Sequence, residues 1–362
     1  MPQVSTAATT GVPRFRSVLD RMVSYRPSTA PPAPGPTYRL AANESPYGPP
    51  DAVLAAIGRA AAQANLYPDN GCSALTGEIA ERFGVGADQV AVGCGSVGVA
   101  QTLMAAVAEP GAEVVYAWRS FEAYPILTRL AGATAVEVPL RDGAHDLDAM
   151  AGALTDRTRL VFVCNPNNPT GTVVPAGRLR AFLDRVPADC LVVLDEAYRE
   201  YVRDATTADG LELAAGRPNV AVLRTFSKAY GLAALRVGFL VGHPVVADAV
   251  RKTYLPFSVN GVAQAAAVAA LRSREELMAR VETVVAERER VRGVLSAGGR
   301  PLPPSEANFL WLPLGDRATA FGEHCGRLGV VVRPFAGDGV RVSIGSPDQN
   351  DAFLSAAAAF GL

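Results

Sequence analysis

Four short motifs carry residues able to act on a carbonyl and a phosphate. RTFSKAYGLAALRVG (224–238) encloses Lys228 between Thr225, Ser227 and Tyr230, with Arg236 eight residues on. A lysine among apolar neighbours can give up its proton near neutral pH and attack a carbonyl. LVVLDEAY (191–198) ends an apolar run on Asp195, a carboxylate that needs a cationic or hydrogen-bonding partner once it leaves water. NPNNPTG (165–171) follows the apolar run RLVFV and breaks it with two Asn-Pro pairs and a glycine, placing Asn168 as a donor at a strand end. GCGSVG (93–98) matches GxGxxG between a predicted strand and a predicted helix, where glycines let backbone N–H groups approach a phosphate. Each motif has a plainer reading: a surface lysine, a helix N-cap at Asp195, a turn at NPNNPTG and a tight turn at GCGSVG. A nicotinamide site at GCGSVG lacks its acidic ribose ligand, since the next strand ends in Tyr116-Ala117-Trp118-Arg119.

Taken together the motifs narrow the chemistry. A phosphate cradle, an Asn, an Asp and a Lys stand in that order at successive predicted strand ends. Pyridoxal 5′-phosphate (PLP) asks for that set: a lysine for its aldehyde, a carboxylate for its pyridine nitrogen, a donor near its phenolate and a cradle for its phosphate.

The elements that must position these residues read as α/β. Seven short, β-branched runs recur between helical segments: QVAV (89–92), EVVY (113–116), TAVEV (134–138), RLVFV (159–163), LVVL (191–194), NVAVL (219–223) and VGFLV (237–241). Continuous apolarity suits strands buried on both faces of a mostly parallel sheet. The seventh follows the sixth too closely for a crossover helix and is expected to be antiparallel. Helical periodicity is present at 51–64, 73–83 and 261–298, and short strands are expected at 308–312, 329–333 and 340–344. The expected organisation is a Pro-rich arm (1–36), a large domain (37–258) and a smaller α+β domain (259–362).

Composition excludes several other functions. The 362 residues are 49% hydrophobic with net charge −1, so wholesale disorder is excluded and no basic excess marks a nucleic-acid partner. Five cysteines without a CxxC pair and three isolated histidines point to no disulfide framework and no metal site. The uncharged stretches 89–108 and 253–271 are interrupted by glycine, glutamine, proline or asparagine and read as buried core rather than membrane spans. The first 36 residues lack the apolar core of a signal peptide, and the expected compartment is the cytoplasm.

The chain resembles the class I/II aminotransferases of PLP fold type I, specifically the histidinol-phosphate aminotransferase subfamily and its aromatic amino-acid (phenylalanine) branch. NESPYGP (43–49), YPDNGC (67–72), GCGSV (93–97), WRSFEAYP (118–125), NPNNPTG, DEAY (195–198), RTFSKAYGLAALRVG and ANFLW (307–311) carry the resemblance in family order across about residues 38–360. It implies that Lys228 attaches the cofactor aldehyde, Asp195 pairs with the pyridine nitrogen, and Asn168 and Tyr198 bond the ring oxygen. It places Phe121 against the ring, where many relatives carry Tyr. Gly95, Ser96, Val97, Thr225, Ser227 and Arg236 are implied to hold the phosphate, with Tyr67 reaching that of a neighbouring subunit in a homodimer with shared sites. Arg341 is implied to clamp the substrate carboxylate, with Asn43, Tyr47, Tyr124 and Asn168 also facing substrate. Ser96-Val97, Ala234 and Asn260 depart from the commoner family residues.

The implied activity is transfer of an aromatic amino acid's amino group to 2-oxoglutarate by ping-pong exchange. The aromatic candidates for the pocket are Trp118, Phe121, Tyr124, Tyr47 and Phe257. The alternatives are histidinol phosphate as donor, for which Arg119 and Arg333 would supply charge, a PLP lyase or decarboxylase, or a non-catalytic PLP-binding regulator.

Overall fold

The computed structural model describes residues 13–22, 36–297 and 302–362. Most of the expected Pro-rich arm (1–36) lies outside the described residues. The described residues form twelve strands: β1 (Tyr38–Arg39), β2 (Val90–Gly93), β3 (Glu113–Trp118), β4 (Thr134–Pro139), β5 (Thr158–Cys164), β6 (Leu191–Asp195), β7 (Val220–Thr225), β8 (Gly238–Val241), β9 (Phe309–Leu312), β10 (Val330–Val331), β11 (Arg333–Phe335) and β12 (Gly339–Ser343).

Seven of them form the central sheet, in the order β2-β8-β7-β6-β5-β3-β4. Pairing is parallel from β7 through β6, β5 and β3 to β4, and β8 runs antiparallel between β7 and β2. The expected antiparallel strand is thus β8: the link from β7 holds the Lys228 motif and no crossover helix. β2, β6, β7 and β8 are buried along their whole length, and β5 is buried at every position but Arg159. Two apolar clusters cover the sheet, one on each face, which is why the alternation of a half-solvated strand is missing.

A smaller three-stranded sheet, β11-β12-β9, is antiparallel. The run expected as one strand at 329–333 divides in two. β10 pairs with β1, and after Val332 the chain turns to pair β11 with β12. Residues 38–39, which the sequence groups with the large domain, therefore lie beside the C-terminal segment. The long helical stretch also divides, at Ser273, into Gly261–Arg272 and Arg274–Ala297. The first half buries its alanines Ala263, Ala266, Ala267 and Ala270, and the second buries Leu277, Val281, Val284 and Val291. One straight helix cannot turn both faces inward. Among the described residues no helix is long and apolar enough to cross a membrane.

Candidate active site

Register brings the motifs together. Cys164 lies opposite Asp195, Asp195 opposite Leu223, and both Gly93 and Thr225 opposite Gly238. The carboxyl ends of β5, β6 and β7 and the turn after β2 therefore share one edge of the sheet, where α/β proteins place ligands. A cleft of about 590 Å3 opens there.

Lys228 and Asp195 both line this cleft. Lys228 Nζ donates to the Ala42 carbonyl at 2.9 Å and stands 5.9 Å from the Tyr198 ring centroid. Burial, followed by the positive charges of Arg341 and Arg236, pushes its pKa down to about 7, against the pull of Glu44. Asp195 is 4% exposed. Its Oδ2 accepts from the Tyr124 hydroxyl at 2.8 Å, while its buried Oδ1 has no hydrogen-bond partner. Burial raises its pKa to about 6, opposed by the bonds from Tyr124 and the Ala197 amide.

The corner expected to hold a phosphate lies at the start of helix Gly95–Val107. Ser96, Val97, Thr225, Ser227 and Arg236 line the cleft. Arg236 Nη1 donates to Ser227 Oγ at 3.2 Å and to the Ala233 carbonyl at 2.9 Å. Two glycines keep this corner open. Gly95 has φ +72°, and a Cβ there would overlap the Arg236 guanidinium. A Cβ on Gly238 would overlap the Ser96 amide nitrogen.

On the opposite wall Asn43 Nδ2 donates to the Tyr198 hydroxyl oxygen at 2.9 Å, leaving the Tyr198 proton to be given elsewhere. Burial pushes the Tyr198 pKa up to about 12, opposed chiefly by Arg341. Arg341 Nη1 donates to Asn168 Oδ1 at 2.5 Å and Nη2 to the Ala41 carbonyl at 2.6 Å. Phe121 is half-buried and lines the cleft, its ring 5.6 Å from that of Tyr124 in a T-shaped contact.

Other expected site residues lie elsewhere. Tyr124, expected to face substrate, is buried beneath the floor: its ring stacks on Phe162 at 4.4 Å and its hydroxyl is given to Asp195. Tyr47 packs against the apolar core, and Trp118 packs on the cluster covering one sheet face. Tyr67 is 83% exposed, its ring 4.7 Å from that of Phe257. Of the five aromatic pocket candidates, Phe121 alone lines the cleft of this chain. Ala234 lines a neighbouring cavity, and Asn260 caps helix Gly261–Arg272 by accepting from Ala263 N at 2.8 Å.

Sequence reasoning missed Cys164, Glu122, Ile126 and Leu127, which also line the cleft. Cys164 ends the strand whose NPNNPTG continuation drew attention instead. Ile126 and Leu127 belong to helix Ala123–Ala131, whose start beside Phe121 was the available signal. Glu122 accepts from Arg333 Nη2 at 3.0 Å, and Arg119 Nε donates to Asp338 at 2.6 Å. Both pairs tie the segment after β3 to the segment 333–338, contacts between regions far apart in sequence.

The donor set fits PLP. A buried carboxylate oxygen lacking a donor suits a protonated pyridine nitrogen, an amine with depressed pKa suits an aldehyde, and a glycine-opened corner with three hydroxyls and Arg236 suits a phosphate. The fold is that of the PLP fold type I aminotransferases.

The profile of the family described as aminotransferase class I and II matches residues 36–356, and the chain belongs to that family; its cofactor is pyridoxal 5′-phosphate. It is 61% identical over 346 residues to a protein of Thermobifida fusca (strain YX) named aromatic amino acid aminotransferase, covering 95% of this chain and 96% of the relative. A Streptomyces coelicolor protein of the same name is 56% identical over 350 residues, covering 96% of this chain and 98% of the relative. The crystal structure of histidinol-phosphate aminotransferase from Sinorhizobium meliloti in complex with pyridoxal-5′-phosphate is similar in fold. Its TM-score is 0.85 at 29% identity, covering 96% of this chain and 97% of that one.

Proposed function

We propose that this aminotransferase takes the amino group of an aromatic L-amino acid, phenylalanine or tyrosine, and passes it to 2-oxoglutarate in two half-reactions. The observation that carries the aromatic reading is the charge balance at the cleft. Arg333 is paired with Glu122 and Arg119 with Asp338, so the two cations that a phosphorylated donor would need already have carboxylate partners. Phe121, Ile126 and Leu127 add apolar wall. Burying a benzyl group on such a wall contributes about 2–3 kcal/mol. The two relatives named aromatic amino acid aminotransferases support the same reading.

PLP, when bound, supplies an aldehyde that exchanges amines and a ring that withdraws electrons from the substrate Cα. The chain's own residues do the rest in this reading. Lys228 holds the aldehyde and, as an amine unprotonated near neutrality, carries the proton at substrate Cα. Asp195 keeps the ring nitrogen protonated, and Tyr198 and Asn168 bond the ring oxygen. Arg341 takes the substrate carboxylate in its fork. Tyr67, exposed in the single chain, reaches the partner's phosphate in a homodimer, and the enzyme works in the cytoplasm.

The test is kcat/KM for phenylalanine against histidinol phosphate at matched 2-oxoglutarate. A hundredfold preference for phenylalanine is expected. A tenfold or greater preference for histidinol phosphate overturns the aromatic reading and returns the alternative donor.

A further inference from the structure

Tyr124 lies outside every role described so far, yet it makes the only hydrogen bond of 2.8 Å or less to the Asp195 carboxylate among those seen in the described residues. It is 1% exposed and sits one layer below the cleft. Its position is fixed on three sides. Phe162 stacks on it at 4.4 Å and 13°, Phe121 meets it edge-on at 5.6 Å and 88°, and Tyr116 lies 5.7 Å away. From its own helix, the Tyr124 carbonyl accepts from Thr128 Oγ1 at 2.8 Å. The phenol donates to Oδ2 of Asp195 and also meets the Cys164 thiol, while Oδ1 is left bare.

We infer that Tyr124 is a positioning residue for transamination: by donating to Oδ2 it turns Oδ1 toward the cofactor's ring nitrogen and keeps the carboxylate ionised there. The inference rests on the reading of Asp195 as the partner of that nitrogen.

The chemistry follows from counting one shared proton. An Asp195–pyridine pair holds the proton either on nitrogen, giving carboxylate and pyridinium, or on oxygen, giving carboxylic acid and neutral pyridine. Asp195 is buried, and burial favours the neutral acid. A phenol donating to Oδ2 stabilises the carboxylate and moves the proton onto nitrogen, the form that withdraws electrons. The other titratable groups around Asp195 are poorly placed to do this. Cys164, opposite it on β5, is a buried thiol that donates toward the Pro166 carbonyl at 3.4 Å and meets the Tyr124 hydroxyl, and burial followed by the Asp195 charge pushes its pKa up to about 12, so it is a far weaker donor to the carboxylate than the phenol. Tyr198 is bonded to Asn43. Lys228 is bonded to the Ala42 carbonyl, and Arg341 to Asn168 and Ala41.

The test uses holoenzyme carrying cofactor labelled with 15N in the ring. In Tyr124→Phe the ring-nitrogen resonance is expected to move from the pyridinium position toward that of neutral pyridine. kcat should fall about tenfold, with KM for the amino donor within threefold of wild type, because binding of the donor's carboxylate is untouched. Tyr124 replaced by 3-fluorotyrosine, nearly the same size but a stronger acid, should keep the pyridinium position and restore kcat. It also serves where Tyr124→Phe fails to fold. Tyr124→Phe holoenzyme whose 15N resonance stays at the pyridinium position overturns the inference, whatever its kcat, because a packing defect alone leaves the proton where it was. So does 3-fluorotyrosine protein with a resonance shifted toward neutral pyridine. Asp195→Asn separates the two levels. If it keeps the pyridinium resonance, the reading of Asp195 fails. If it loses that resonance while Tyr124→Phe keeps it, only the role of Tyr124 fails.

Discussion

Asn43 and Tyr198, 155 residues apart in sequence, share a 2.9 Å hydrogen bond at the wall of the cleft. Ser343 Oγ extends it by donating to Asn43 Oδ1 at 3.0 Å, so one polar chain joins the segment beside β1, the turn after β6 and the end of β12. The bond occupies a lone pair of the tyrosine oxygen and leaves its proton to be donated. Parts of both sheets must be in place before Tyr198 is aimed.

The Lys228 amine carries a pH signature. Its pKa in the folded chain is lowered to about 7, so the fold favours the neutral amine. The associated stability is present above the unfolded value of about 10.4 and is lost as pH falls through about 7. Cofactor-free Lys228→Met protein lacks that penalty. It should melt several degrees above cofactor-free wild type at pH 6.5, and the gap should close as pH approaches 10. A pH-independent gap in calorimetry counts against a buried neutral amine. The same variant should show no turnover and no covalent cofactor after borohydride trapping.

Gly95 keeps the corner beside Arg236 open. In Gly95→Ala a methyl group meets the Arg236 guanidinium at a backbone position, φ +72°, that already strains a side chain. PLP affinity, titrated by absorbance, should weaken at least tenfold, with the melting temperature of the cofactor-free protein changing far less. Unchanged affinity would remove Arg236 and this corner from the phosphate site.

Glu122 tunes donor choice through Arg333. Glu122→Gln removes the carboxylate now 3.0 Å from Arg333 and leaves a neutral side chain of the same shape. The ratio of kcat/KM for histidinol phosphate to that for phenylalanine should rise roughly fivefold, the size expected for one added charge contact at a partly exposed site. A ratio within a factor of 1.5 of wild type means that this pair has no part in selectivity.

Shared sites can be tested by complementation. Tyr67→Phe and Lys228→Ala homodimers should each be impaired. After subunit exchange at equal ratio, the mixture should recover up to about a quarter of wild-type activity, because half of the dimers are mixed and in each of these one site carries both faults and the other carries neither. Absence of recovery, with exchange verified by mass spectrometry, rules out a Tyr67 contribution across the interface.

What the sequence determined by itself is local and covalent. Continuous β-branched runs specify strands buried on both faces, and the short link between the runs at 219–223 and 237–241 forces an antiparallel β8. Glycine and Asn-Pro punctuation marks the strand ends, and residues bound to those ends, Lys228, Asp195, Asn168 and Ser96, are carried to the cleft with the sheet. Tertiary structure decided whatever depended on which way a side chain turns once its element is packed. Tyr124 sits three residues from Phe121, yet Phe121 lines the cleft while Tyr124 goes under its floor to Asp195. The sequence offers Arg119 and Arg333 as charge for a phosphorylated donor, and the approach of segment 333–338 to the end of β3 pairs them with Asp338 and Glu122. The division at Ser273 has the same origin: helical period continues through it, but the two halves bury different faces. A one-dimensional pattern specifies period and termini, whereas burial and pairing depend on surfaces that meet only after the chain has closed on itself.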